Sequence, residues 1–105
     1  MKLYIAVLDE FPDYMTPTLV AHAVLGYHLM FQDYDEWKVY LAESFRKVVL
    51  RVNQKEFDKI AALDKCYLFH ENKTLGAKKS AAVVLVKDDV PNVLKFAKLW
   101  KPVVQ

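Results

Sequence analysis

Three histidines, one cysteine and a scatter of lysines and arginines are the side chains of this chain most able to carry chemistry. His22 sits in Thr16-Pro-Thr-Leu-Val-Ala-His-Ala-Val-Leu-Gly-Tyr27. There an imidazole could orient or protonate a bound group. The same residue also reads as a packed, hydrogen-bonded histidine on a sheet-facing helix. His28 and His70 lack the spacing and neighbouring carboxylates of a His-Glu-x-x-His site, so no metal ligand set is expected and no cofactor is implied. Cys66 stands alone, which excludes an intrachain disulfide and suits a buried structural thiol. The basic side chains form the stronger lead. Lys73, Lys78 and Lys79 share one polar stretch, and Arg46, Lys47 and Arg51 flank an apolar run. Lysine and arginine give sequence-independent, salt-sensitive contacts to phosphate, although a solvated surface has the same composition.

These residues need elements to hold them. Lys2–Leu8 is almost continuously apolar and reads as a strand buried on both faces. A loop over Asp9–Met15 leads to a helix from about Pro17 to Phe31, with Thr16 as its N-cap and Pro17 at the first helical position. Small residues at Ala21, Ala23 and Gly26 would let that helix lie close on a sheet. Asp35–Ala42 reads as a short second helix with Trp37 and Leu41 on one face. Lys47–Val52 is a second strand, and Asn53 caps a helix over Gln54–Leu63. Cys66–His70 and Ala81–Val86 are further strands, joined by a polar loop over Glu71–Ser80. Asp88-Asp-Val-Pro91 opens a last helix ending near Trp100. The order β-α-α-β-α-β-β-α predicts an α/β fold with helices on both faces of a mixed sheet, since the third and fourth strands lack a crossover helix.

The 105 residues fit one domain, and a 54% hydrophobic composition can build a core without disulfides or metal. Charge is segregated along the chain. Residues 1–43 carry two basic and seven acidic side chains, and residues 44–105 carry thirteen basic and six acidic ones. Such asymmetry can mark a polyanion-binding face. No run approaches the roughly 20 apolar residues of a membrane span, so no membrane partner is expected. The strand-like opening and the single cysteine point to a cytoplasmic location.

Taken together, His22-Ala-Val-Leu-Gly26, Trp37 followed by Ser44-Phe-Arg-Lys-Val-Val-Leu-Arg-Val52, and Ala81–Val86 followed by an acidic turn and Phe96-Ala-Lys-Leu-Trp-Lys-Pro-Val103 resemble the archaeal and eukaryotic type of peptidyl-tRNA hydrolase. The resemblance spans the chain. It implies a three-layer α/β/α sandwich on a four-stranded mixed sheet with one antiparallel strand. It further implies hydrolysis of the ester between peptide and tRNA, tRNA as partner, and possible homodimers. Carried onto this sequence, the site would be His22 and Thr74 as polar groups and Glu71 as the acid that orients or activates water. Arg46, Lys47, Lys73, Lys78 and Lys79 would contact RNA. Glu71 and Thr74 also suit plain loop capping, because a carboxylate and a hydroxyl commonly bond nearby backbone N–H groups. The family's basic stretch before the first helix is here Asp13-Tyr-Met-Thr16, its glutamine falls on Leu19, and its Asp-Ala-Gly-x-Thr loop becomes Glu71-Asn-Lys-Thr74. These departures define a second reading: a catalytically inactive module of the same scaffold that binds RNA, a small ligand or a protein.

Overall fold

The computed structural model describes residues 1–71 and 78–101, with the backbone alone at Glu71 and Lys78. Strand β1 (Lys2–Leu8) runs into a 3-10 turn at Asp13–Met15 and then helix α1 (Thr16–Phe31). Helix α2 (Asp35–Val39) opens into a π-turn at Tyr40–Ser44, and β2 (Arg46–Val52) leads to α3 (Gln54–Ala61). The chain closes with β3 (Tyr67–Glu71), β4 (Lys78–Val86), α4 (Asn92–Lys95) and β5 (Lys98–Leu99).

The five strands form one mixed sheet in the order β3-β4-β1-β2-β5. β1 and β2 are parallel, from Lys2↔Arg46 to Leu8↔Val52. β4 is antiparallel to β1 and to β3, and β5 is antiparallel to β2. The expected sheet of four strands with one antiparallel member is therefore corrected: β5 is a fifth strand, and both β4 and β5 run against β1. The expected long C-terminal helix is replaced by α4 and β5. Pro91 caps α4, which closes after one turn with the Phe96 N–H on the Asn92 carbonyl at 3.0 Å. The chain then pairs with the outer edge of β2 (Leu50↔Leu99), and the Trp100 N–H reaches the Val49 carbonyl at 2.9 Å. Backbone groups at a sheet edge that gain partners this way outweigh a weak local helix signal.

Period two sorts the central strand. Leu3, Ile5 and Val7 point to the side of α1, and Tyr4, Ala6 and Leu8 to the side of α3 and α4; all six are buried. α1 contributes Leu19, Ala23 and Tyr27 to the core, α3 contributes Phe57 and Ile60, and α4 contributes Leu94. Asn53 caps α3 as expected, accepting from the Glu56 N–H at 2.8 Å while Glu56 Oε1 accepts from the Asn53 N–H at 3.1 Å. Thr16 is not the cap of α1. The 3-10 turn has already made the chain helical, so Met15 holds the cap position. Thr16 is buried with its Oγ1 unpaired. Trp37 and Leu41 border the same hollow beside α1, as residues expected on one face, with Trp37 buried and Leu41 exposed. Among the described residues, no helix is long and apolar enough to cross a membrane.

Candidate functional site

α1 carries no charged residue over its sixteen positions apart from what protonation adds to its histidines. Its inner stripe faces the sheet, but Leu25, Leu29 and Met30 are exposed. A helix with apolar side chains on its outer side as well has more to cover than one core requires. Beside it, α2 and the π-turn raise an aromatic wall. Trp37 is buried and stacks on Tyr40 with centroids 5.0 Å apart, and Tyr40 stacks on Phe45 at 6.2 Å. Between this wall and Pro17, Val20, Ala21, Val24 and Leu25 of α1 lies a groove of about 430 Å³. That size is within the range of small-ligand sites.

Local geometry holds each wall residue in place. Trp37 Nε1–H donates to His28 Nδ1 at 2.9 Å, which leaves the proton of a neutral His28 on Nε2. Tyr40 Oη–H donates to the Arg46 carbonyl at 2.9 Å. The Phe45 N–H closes the π-turn on the Tyr40 carbonyl at 2.9 Å, and Ser44 Oγ donates to the Met1 carbonyl, tying the turn to the start of β1. Phe45 itself is left-handed, with φ 61°, and the residue is 61% exposed. A phenylalanine rarely adopts that backbone, and it costs about 1–2 kcal/mol.

Lys47 supplies the charge. Its Nζ lies 3.5 Å from the Phe45 ring centroid and 5.6 Å from that of Tyr40, and it donates to the Phe45 carbonyl at 3.1 Å. Lost hydration lowers its pKa below the usual lysine value. Burial pushes the Tyr40 phenol up to about 12, so it stays a neutral donor. The groove thus offers an ammonium, an imidazole and flat ring faces. Its lining includes no carboxylate and no thiol among the described residues. An ammonium beside flat ring faces is chemistry suited to holding a ligand.

The residues expected to share one site are spread over the molecule. His22 is exposed on the side of α1 that faces β3, stacked on Phe69 with centroids 5.6 Å apart. Packing in a core is therefore excluded for it. Phe69 lies two residues before Glu71, whose backbone pairs with Lys78 at the last described pair before the connection from β3 to β4. Thr74 and Lys73 lie outside the described residues, and Lys79 is exposed on β4 opposite His70. Arg46 and Lys47 open β2, beside Lys2 and Leu3 of β1, whereas Lys79 lies two residues before Ala81, the partner of Val7. At about 3.3 Å per residue, roughly 20 Å of sheet separates the two basic groups, so they do not form one patch. Arg51 is engaged structurally, pairing with Asp13 and donating from Nη2 to the Asp9 carbonyl at 2.8 Å. Cys66 is half-buried, and burial raises its thiol pKa to about 11, which fits the expected inert thiol.

Of the groove residues, only Lys47 stood among the candidates. In the sequence His28 lacks the spacing of a metal ligand, Trp37 reads as a core aromatic, and Tyr40 and Phe45 carry no functional signal. The available signal was the uncharged outer face of α1. Comparison with known proteins adds no relative: no family model matches the chain, and no curated protein matches it.

Proposed function

We propose that this chain is a binding module whose groove takes a small, flat, apolar anion. The observation that carries this reading is the Lys47 ammonium resting on the Phe45 and Tyr40 rings at the mouth of an otherwise apolar groove. The rings and α1 would cover the apolar body of the ligand, and Lys47 would meet its negative end, with His28 Nε2–H as a second donor. An incoming anion restores to Lys47 the favourable surroundings that lost hydration removes. The test uses 1-anilinonaphthalene-8-sulfonate against the uncharged N-phenyl-1-naphthylamine. The sulfonate gives saturable fluorescence at one site per chain. Lys47→Ala weakens it about tenfold or more and leaves the uncharged probe largely unaffected. Sulfonate binding persists at low and neutral pH and fades as pH rises through the lowered Lys47 pKa, beginning below the ordinary lysine value of about 10.4. Equal sulfonate binding by wild type and Lys47→Ala rejects the reading.

A second reading, ester hydrolysis on a peptidyl-tRNA hydrolase-like three-layer scaffold, has one observation in its favour. The His22 ring rests on Phe69, at the hairpin that continues through Glu71 towards Thr74. Diacetyl-Lys-tRNA is its substrate test. Release above background that disappears in His22→Ala supports it, and background release beside a working hydrolase removes it.

A further inference from the structure

The side of the molecule opposite the groove has a different character. Phe96 follows α4 and is 75% exposed. It borders two hollows at once. One, of about 510 Å³ between α3 and α4, is lined by Lys55, Lys59 and Asn92. The other, of about 370 Å³, is lined by Lys98 and Arg51 together with Asp9 and Glu56, and Glu56 also borders the first hollow. Lys55 and Lys59 are four residues apart and share a face of α3. The Lys95 Nζ lies 5.7 Å from the Phe96 ring centroid. Acidic groups are present too, but their bonding is internal: Glu56 is held in the capping box of α3, and Asp58 accepts from Gln54 Nε2 at 2.8 Å. Asp9 lines the second hollow beside Arg51. Among the described residues the only ion pair is Arg51–Asp13, so these four lysines have no acidic partner there.

We propose that this face binds single-stranded nucleic acid, with one base stacked on Phe96 and the backbone phosphates running from Lys55 and Lys59 to Lys98. The inference does not depend on the groove reading. An exposed ring flanked by cations on two sides is what a strand needs: every base has a flat face, and the phosphates on either side of a stacked base demand positive charge. An acidic peptide would use the lysines and leave the ring without purpose. An isolated nucleotide would use the cations of one hollow only. Asn92, at the edge of the first hollow, can bond base edges without imposing a sequence.

The experiment is fluorescence anisotropy of a labelled 12-nucleotide oligo(U), with the full chain and a potassium chloride series. Binding is expected to weaken with salt. Phe96→Ala weakens it about tenfold. Lys55→Ala/Lys59→Ala lowers affinity and flattens the slope of log affinity against log salt by about 1.4, the contribution of two phosphate contacts to a single strand. A blunt duplex of the same length binds more weakly, since its bases cannot reach Phe96. These substitutions lie on the surface, and circular dichroism confirms that the variants are folded. Three results overturn the proposal: no binding at low salt, binding indifferent to both variants, or displacement by UMP at the same concentration of nucleotide units, which would make the site one for free nucleotides. Lys47→Ala leaves oligo(U) binding unchanged; a loss there would move the contact to the opposite face and overturn the assignment.

Discussion

α1 and α3 cover opposite faces of one sheet, and they meet the solvent differently. α3 is divided: Phe57 and Ile60 face inward, and Gln54, Lys55, Asp58 and Lys59 face water. α1 has no such division, since Leu25, Leu29 and Met30 stand on its outer side. The sheet asks the same of both helices, a stripe of apolar side chains, so the difference lies in what each does beyond the core. The outer side of α3 presents lysines around Phe96. The outer side of α1 meets an aromatic wall and leaves a groove between them. Burial alone explains α3; it leaves part of α1 unexplained.

The largest effect that can break this comparison is loss of a core aromatic residue on either side. Trp37→Ala and Phe57→Ala should each cost about 3–5 kcal/mol in urea denaturation. Of the two, only Trp37→Ala should also abolish sulfonate-probe binding, because Trp37 lines the groove and Phe57 does not. A matching loss in Phe57→Ala would mean that the probe reports general loosening.

Alkali should act through the α1 side. Burial raises the phenol pKa of Tyr27 and Tyr40 to about 12 in each case. The unfolded chain loses these protons near pH 10 while the folded chain keeps them. Their contribution is therefore complete below pH 10 and disappears as pH rises towards 12. Unfolding free energies across that window should fall less steeply in Tyr27→Phe/Tyr40→Phe than in wild type.

Gly26 sharpens the comparison further. A Cβ there would come within 2.6 Å of Tyr67 Cε2, so a larger residue requires the Tyr67 ring or α1 to shift. Gly26→Ala should cost about 1–3 kcal/mol and lower the melting temperature despite the better helix propensity of alanine. A rise in melting temperature would show that Tyr67 moves aside freely. On the other side, Asn53→Ala removes the cap of α3 and should cost about 1 kcal/mol in the same denaturation assay. Smallest is Leu29→Lys on the outer side of α1, expected within about 0.5 kcal/mol.

What could be foreseen follows the range of the forces involved. β1 and α1 announce themselves through apolar period and length, and the α3 cap through Asn53 and Glu56 three residues apart; these are local signals. Val90, Val93, Leu94 and Ala97 are spaced as for a helix, yet Lys98 and Leu99 join β2, almost fifty residues away in sequence. Nothing near Leu99 records that an edge of β2 is open to it. The groove was hidden for the same reason. Trp37 meets His28 across a turn, and Lys47 meets Phe45 only because Phe45 is left-handed. The charge asymmetry was readable, but not how it divides: Lys47 and Lys79 fall at opposite ends of the sheet, and the lysines around Phe96 were not among the candidates.

The π-turn at Tyr40–Ser44 makes chain length itself a determinant of the groove. It holds one residue more per turn than an α-helix, and that residue sets where β2 begins. Along β2, Lys47 falls to the groove side and Leu50 to the opposite side. A strand slipped by one position exchanges its faces. Losing a single residue between Tyr40 and Phe45 would therefore do what no substitution there can. It would set the hydrophobic demand of Leu50 and Val52 against the position of Lys47, and burial would decide the outcome. Insertions and deletions in this turn are expected to be far less tolerated than replacements, although much of it lies at the surface.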